Sequence, residues 1–311
     1  MKINMSIVKS IEKSKDGTIK FHYDEGYNAV LIPHYNGKNT LCVSSQLGCA
    51  MDCQFCLTAK LKFKKNLDSK QIVEQFEEAL FYLSKKENIQ SKLNKKAKYH
   101  SKELITSIVF MGMGEPLNNT ENVITACNYL NKTYFYPYKK ITISTSGIIP
   151  EMNKLIDMKQ KIPLALSLHS PFQDIRNKIM PGLKLFDIKD LVKVCNKYNL
   201  KNRQKIMIEY LMIGGLTDRD EDIEELITLG LDKMTNFNLI PLNSPMLLYG
   251  KEYLSSDLKR CEFFKRKLIA AGFKCFIREN MGNDIEAACG MLSGNLSTLN
   301  KDKTLKKNSL N

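Results

Sequence analysis

Cys49, Cys53 and Cys56 form a C-x3-C-x2-C array within the eight residues Cys49-Ala50-Met51-Asp52-Cys53-Gln54-Phe55-Cys56. Three thiolates on one short loop can each take an iron of a [4Fe-4S] cube and leave the fourth iron open. An open iron that binds the amine and carboxylate of an amino acid is the arrangement that cleaves S-adenosylmethionine reductively to a 5′-deoxyadenosyl radical. Zinc is the main competing reading, but a structural zinc site wants four ligands and no fourth lies nearby in sequence. Chance is a poor account of three cysteines in one eight-residue window when the chain has nine in all. Phe55, just before the last ligand, is expected to shield the cluster and pack near an adenine.

These cysteines follow a short apolar run at 41–45 that reads as a strand. From there apolar runs alternate with amphipathic stretches. Strands are expected at 105–111, 141–145, 164–168, 206–213, 237–241 and 273–277. Helices are expected at 68–82, 119–131, 150–157, 188–198, 221–229 and 257–271. Six β-α units in succession predict an α/β fold of parallel strands with right-handed crossovers, a barrel or an open sheet. Residues 18–23 and 29–32 read as a small hairpin set against it. In a parallel barrel, chemistry collects at the C-terminal ends of the strands. There lie Met111-Gly112-Met113-Gly114-Glu115-Pro116, Ser144-Thr145-Ser146-Gly147, Ser167-Leu168-His169 and Asn243. Each alone reads equally as a turn, a cap or a satisfied strand-end histidine; their shared placement favours a site.

The 311 residues are 43% hydrophobic and 26% charged, which excludes a largely disordered or fibrous chain. No apolar run approaches the ~18 residues of a membrane helix, and the first twelve residues lack the apolar core of a secretory signal. A cytoplasmic protein with no membrane association is expected. Clustered cysteines in that reducing setting point to metal or chemistry rather than structural disulfides. The net charge of +14 points to a polyanionic partner, nucleic acid first. Eight of these excess charges fall in two lysine-rich segments, 85–104 and 301–311, read as a solvated insertion and a frayed tail whose phosphate contacts would be non-specific.

Over 28–295 the chain resembles the RlmN/Cfr family of radical S-adenosylmethionine RNA methyltransferases. The motifs are Thr40-Leu41-Cys42-Val43-Ser44-Ser45-Gln46, Phe110-Met111-Gly112-Met113-Gly114-Glu115-Pro116-Leu117, Ser144-Thr145-Ser146-Gly147, Ser167-Leu168-His169 and Asp284-Ile285-Glu286-Ala287-Ala288-Cys289-Gly290. Met180-Pro181, and Asn238-Leu239-Ile240-Pro241 followed by Asn243, fall in the expected order. The resemblance implies a partial TIM-type (β/α)6 radical-SAM barrel at 41–295, a small N-terminal β extension at 1–40 and a basic, disordered tail at 296–311. It implies that Cys49, Cys53 and Cys56 hold the [4Fe-4S] cluster. Gly114 and Glu115 would hold the amino group of S-adenosylmethionine, Ser144 its carboxylate region, Ser167, Leu168 and His169 the ribose side, and Asn243 the ribose or adenine.

By the same resemblance Cys289 accepts a methyl group from one S-adenosylmethionine, and the radical from a second removes a hydrogen from that S-methyl. The methylene radical adds to an adenine carbon, and Cys42 assists release by forming a disulfide with Cys289. An sp2 ring carbon of adenine is not nucleophilic, so a radical route is chemically required. The Gly- and Ala-rich segment around Cys289 is expected to be a flexible loop. Cys127, Cys195, Cys261 and Cys275 match no motif and read as buried structural cysteines. Pro116 resembles the RlmN branch, which acts at adenine C2, whereas the Cfr branch, acting at C8, tends to have Ala there. The remaining alternative is a basic iron-sulfur protein that binds RNA without catalysis. 23S rRNA and tRNA are the implied substrates, a flavodoxin- or ferredoxin-type protein the implied reductant, and a monomer the implied state.

Two departures stand out. Asn28 occupies the position where family members usually carry a Glu assigned as proton acceptor, and Asn cannot take a proton at neutral pH. Cys42 alone, or Glu25 or Asp24, would then take the role, unless it is dispensable. Only 41 residues precede Cys42, so the family's small accessory RNA-gripping domain is expected to be absent, with the lysines of the insertion compensating.

Overall fold

The apolar runs become strands covered on both faces, as parallel strands between helices must be. In the computed structural model, residues 8–86, 97–183, 186–202 and 204–292 are described. The chain begins with β1 (Val8–Lys13), β2 (Ile19–Tyr23), β3 (Asn28–Pro33) and β4 (Asn39–Cys42). A two-residue ladder, β5 (Gln46–Leu47) with β6 (Lys65–Asn66), brackets the one-turn helix α1 (Leu57–Lys60). Then come α2 (Ser69–Lys86), α3 (Ala97–Leu104), β7 (Ser107–Phe110), α4 (Thr120–Tyr134), β8 (Ile141–Thr145), α5 (Ile149–Asp157), β9 (Leu164–Ser167) and α6 (Gln173–Ile179). The chain continues through α7 (Ile188–Asn202), β10 (Met207–Met212), α8 (Asp220–Thr228), β11 (Asn236–Pro241), the hairpin β12 (Met246–Leu248) and β13 (Lys251–Tyr253), α9 (Leu258–Ala270) and β14 (Lys274–Ile277).

One ten-stranded sheet runs β1-β2-β3-β4-β7-β8-β9-β10-β11-β14. From β4 to β14 every neighbour is parallel. Six crossovers thus join seven strands in sequence order, the arc of a partial TIM-type barrel. β3 pairs antiparallel with β4, and β1 and β2 extend that edge. Leu41, Ile108, Ile143, Leu166, Ile208 and Leu239 are buried in the main core, each next in sequence to a residue of the opposite, cavity-facing side. Phe76 of α2 packs edge-on against Tyr134 and Tyr136, seating α2 beside α4.

The expected hairpin at 18–23 and 29–32 is present. A third strand, β1, joins it; only Val8 of its six residues is even half-buried, so it carries no hydrophobic signal. The β12–β13 hairpin and α6 are likewise short elements that periodicity did not mark. Residues 87–96 of the lysine-rich insertion, with Lys92, Lys95 and Lys96, and the tail from 293 onward lie outside the described residues. The insertion is not solvated throughout: its last turn is α3, where Ser101 and Leu104 are buried. Among the described residues no helix is long and apolar enough to cross a membrane.

Candidate active site

The cysteine loop leaves the end of β5 through Gly48, which must be glycine. Its φ is +74°, and a Cβ there would meet the Lys62 carbonyl, closing the loop's two ends, at 1.7 Å. Within the loop Cys56 N donates to Cys53 O, and Cys49, Cys53 and Phe55 pack against a second apolar cluster around Ile179 and Leu211. Gln54 N donates to Ile179 O at the end of α6, and Gly182 N donates to Met51 O. The three thiols therefore stay half-buried along one cavity. Burial pushes Cys49 up to about 12 and Cys53 well above the usual thiol range; both must lose protons on binding iron.

Gly112-Met113-Gly114-Glu115-Pro116 wedges against the strand end that precedes the cysteines. A Cβ on Gly114 (φ +97°) would lie 2.4 Å from Gln46. Glu115 is buried and caps the 3-10 turn at Pro116–Asn119, accepting from Leu117 N at 2.9 Å. Its other oxygen accepts from Ser146 N at 2.7 Å and Ser146 Oγ at 2.6 Å. Burial raises its pKa, which these hydrogen bonds oppose. Gly114, Glu115, Ser144, Ser167, His169, Asn243 and Cys289 line the same cavity as the three cysteines.

Leu168 does not. Its side chain enters the main core and its N donates to Glu209 O. Ser167, at the end of the strand, and His169, beyond it, line the cavity, while the side chain between them packs in the core. His169, at φ +61°, accepts from Leu211 N through Nδ1 at 3.2 Å, and its ring meets Phe55 edge-on at 4.9 Å. Burial depresses it to about 3, with Arg176 adding to the effect. The ring is neutral and carries its proton on Nε2.

Cys289 lines this cavity and also a second one, which Cys42 lines from β4. Arg278, just beyond β14, borders both. Desolvation opposes the Arg278 charge, but Cys289, Glu209 and Cys42 around it hold it on. Burial pushes Cys42 up to about 12. Desolvation in the cavity also raises Cys289 above the usual thiol value, against the pull of Arg278, although the residue itself is exposed to the open cavity. Thiolate is the reactive form, so alkylation of Cys289 by iodoacetamide is expected to climb about tenfold per pH unit from 7 to 9. A plateau already reached at pH 7 would contradict the raised value; peptide mass spectrometry across the pH series reads it.

The segment carrying Cys289 is tied on both sides rather than loose along its length. Upstream, Asp284 accepts from Ser14 Oγ (2.5 Å) and Lys15 N (3.1 Å), and Asp16 accepts from Gly282 N (2.6 Å). Buried Lys20 of β2 donates to Ile285 O (3.0 Å) and Glu286 O (3.2 Å). Downstream, Leu57 N donates to Gly290 O (2.7 Å) and Thr58 Oγ1 to Leu292 O (2.6 Å), and Asn243 Nδ2 holds the carbonyl of Cys289 itself (2.8 Å). The N-terminal strands thus serve as the abutment of the Cys289 arm. Lys20→Met strands two carbonyls at a cost of about 1–3 kcal/mol. Amide exchange at Ala287 and Met291 is expected to quicken while β10 and β11 keep their protection. A uniform change across the sheet would contradict this.

Asn28 is buried, with its amide against Met113 Sδ, and borders neither cavity. Glu25 pairs with Lys65 and Gln71, and neither it nor Asp24 borders a cavity. Among the described residues the carboxylates that border these cavities are Glu115 and Glu209 on the first and Glu279 on the second. Glu209 accepts from Asn238 (2.8 Å), and burial raises its pKa. Sequence reasoning missed Glu209, Arg278 and Arg176. A lone Glu in the apolar strand Met207-Ile208-Glu209-Tyr210-Leu211-Met212 was a usable signal.

The donor set suits a cluster better than a single ion. The loop offers three thiols, one short of a tetrahedral zinc site, whereas a cube takes each thiolate on its own iron. Beside Cys53 the fully buried Arg176 leaves Nε and Nη1 without partners, a cation that an anionic cluster would offset.

Comparison with known proteins shows what the chain is similar to. Residues 43–229 match the radical SAM superfamily. A dual-specificity RNA methyltransferase RlmN from Wigglesworthia glossinidia brevipalpis is 40% identical over 97% of this chain and 77% of its own length. The protein of that name from Desulfotalea psychrophila is 38% identical over 93% of this chain and 78% of its own. The crystal structure of a radical SAM methyltransferase from Sphaerobacter thermophilus superimposes with a TM-score of 0.80 at 30% identity, covering 93% of this chain and 81% of that one.

Proposed function

Because the chain belongs to the radical SAM superfamily and, within it, to the RlmN family of RNA methyltransferases, we propose that it methylates C2 of an adenosine in 23S rRNA and tRNA. The methyl group travels on Cys289. The observation that carries this reading is the position of Cys289 on two cavities at once, one shared with Cys49, Cys53 and Cys56, the other with Cys42. A binding protein without catalysis has no use for that arrangement.

With S-adenosylmethionine, the [4Fe-4S] cluster on Cys49, Cys53 and Cys56 supplies a 5′-deoxyadenosyl radical. The protein's own groups do the rest. Glu115 offers carboxylate oxygens to the ammonium of S-adenosylmethionine, with Gly114 giving close approach; Ser144 takes the carboxylate region, and Ser167, His169 and Asn243 the ribose and adenine. His169 is neutral, so it places no charge beside the sulfonium. The Cys289 thiolate, favoured by Arg278, takes a methyl group from the first S-adenosylmethionine. The 5′-deoxyadenosyl radical would take a hydrogen from the Cys289 S-methyl, and the resulting methylene radical would add to adenine C2. The adduct would then lose its C2 proton and one electron, which the cluster would accept. The Cys42 thiolate would attack the Cys289 sulfur, and the Cys42–Cys289 disulfide would form as the carbon–sulfur bond breaks. The electron pair of that bond would pass to the adenine-bound carbon, which takes up a proton to become the methyl group. The target base must leave its stack to reach these thiols. By the same family reading the enzyme acts as a cytoplasmic monomer with a flavodoxin- or ferredoxin-type reductant.

Expression in cells lacking their own enzyme of this family, followed by nucleoside mass spectrometry of separated 23S rRNA and tRNA, tests the reading. 2-Methyladenosine in both pools is expected. 8-Methyladenosine would move the chain to the Cfr branch. Neither isomer, from protein that holds iron and cleaves S-adenosylmethionine, would reject the assignment.

A further inference from the structure

We propose that Arg176 is the resident counter-charge of the iron-sulfur cluster, set beside Cys53 to raise the cluster's reduction potential. The inference rests on the cluster reading of Cys49, Cys53 and Cys56 and assigns a residue that reading does not use.

Arg176 sits on α6 with no exposed surface. Its Nη2 donates to Ser146 O at 2.5 Å and Ser167 O at 3.4 Å. Nε and Nη1 are buried and have no partner. A full cation in a protein interior is costly unless something of opposite charge faces it. Cys53 is the acidic group that favours the Arg176 charge, and it becomes anionic when its thiol gives up a proton to bind iron. The other ionisable neighbour is His169, which burial keeps neutral. Two donors without partners therefore sit on a buried charge beside Cys53, and among the described residues no carboxylate pairs with it. Arginine suits the place because its planar fork can hold the two carbonyls through Nη2 while Nε and Nη1 remain available on the same charged group.

The register is fixed. Gln54 N, one residue past Cys53, donates to Ile179 O of α6, and Gly182 N, beyond the helix, donates back to Met51 O. The helix that carries the charge and the loop that carries the thiols are thus fastened at two points. A cluster held by three thiolates becomes more negative by one charge on reduction. A fixed cation in low dielectric favours that form over the oxidised one. Removing the cation makes reduction harder for any donor.

The test is an EPR-monitored redox titration of the reconstituted protein without S-adenosylmethionine, in wild type, R176M and R176K. In R176M the reduction equilibrium is expected to move at least tenfold toward the oxidised form, 59 mV for one electron. R176K, which keeps a cation, is expected to stay within twofold, about 18 mV. An R176M protein that carries its iron and stays within twofold overturns the inference. If R176M does not load iron, R176K decides: a tenfold shift with the charge retained also overturns it. A second titration measures S-adenosylmethionine affinity. A tenfold loss there in R176M with an unmoved potential would assign the cation to the ligand's carboxylate and reject its role at the cluster. A wild-type chain that takes up no iron would instead refute the cluster reading itself.

Discussion

Cys289→Ala is expected to abolish methyladenosine formation, by about 10³-fold or more, while S-adenosylmethionine cleavage and RNA binding persist. The substitution removes one sulfur atom from an exposed residue facing the cavity. The contact that seats the residue is from Asn243 to its main-chain carbonyl, which alanine retains. The hydrogen bonds that tie the arm, at Asp284, Ile285, Glu286, Gly290 and Leu292, involve other residues. The variant should therefore fold and leave the cluster cavity intact. What it lacks is the atom that accepts the methyl group. Adenine C2 cannot attack a sulfonium methyl directly, so no polar bypass exists. Product assays by nucleoside mass spectrometry, with 5′-deoxyadenosine measured in parallel, read both halves. A variant that still methylates RNA near the wild-type rate would sink the mechanism.

Cys53→Ala acts one step earlier. Iron content should fall to background, and 5′-deoxyadenosine formation should fall with it by about 10³-fold, since two thiolates do not retain a cube. Cys53 is the thiol beside Arg176, so the variant also removes the group that this cation faces. Cys127→Ala and Cys195→Ala are the controls. Both residues lie in the main core away from the site, and burial alone pushes each thiol up to about 12. Their loss should cost stability through a small cavity and leave iron in place. Iron retained at the wild-type level in Cys53→Ala would reject the ligand assignment.

How much of this was legible beforehand follows from where each signal lives. The three cysteines share eight residues, and the Gly114-Glu115, Ser144 and Ser167 to His169 motifs each end a strand with an apolar run. Order along the chain therefore carried most of the cavity. The parallel arc was legible for the same reason, because buried strands are continuous apolar runs. Leu168 shares its motif with two cavity residues, but its side chain packs in the main core, which membership of a motif does not reveal. Lys20 reads as the solvent face of the alternating strand Ile19-Lys20-Phe21-His22-Tyr23. Only the packing of 282–287 over that face reveals it as a buried donor. Arg176 lies in Gln173-Asp174-Ile175-Arg176-Asn177-Lys178-Ile179, a polar stretch that reads as a surface turn. Its burial depends on where α6 lands against the ends of β8 and β9. Asn28 was legible as a departure, and its consequence was not, because sequence does not tell that the side chain turns toward Met113 and away from both cavities. The looseness expected of the Cys289 segment from its small residues fails for a related reason. Glycine and alanine leave room for main-chain hydrogen bonds from Lys20, Leu57 and Thr58.

The most direct test of the account is the covalent state of Cys289. The reconstituted protein would be incubated with S-adenosylmethionine bearing a deuterated methyl group and then digested, and the peptide carrying Cys289 analysed by mass spectrometry. The account predicts one labelled methyl on the Cys289 sulfur, formed before RNA is added and lost, in part or whole, into methyladenosine during turnover. Labelled methyladenosine made by protein whose Cys289 never carries the label would contradict it.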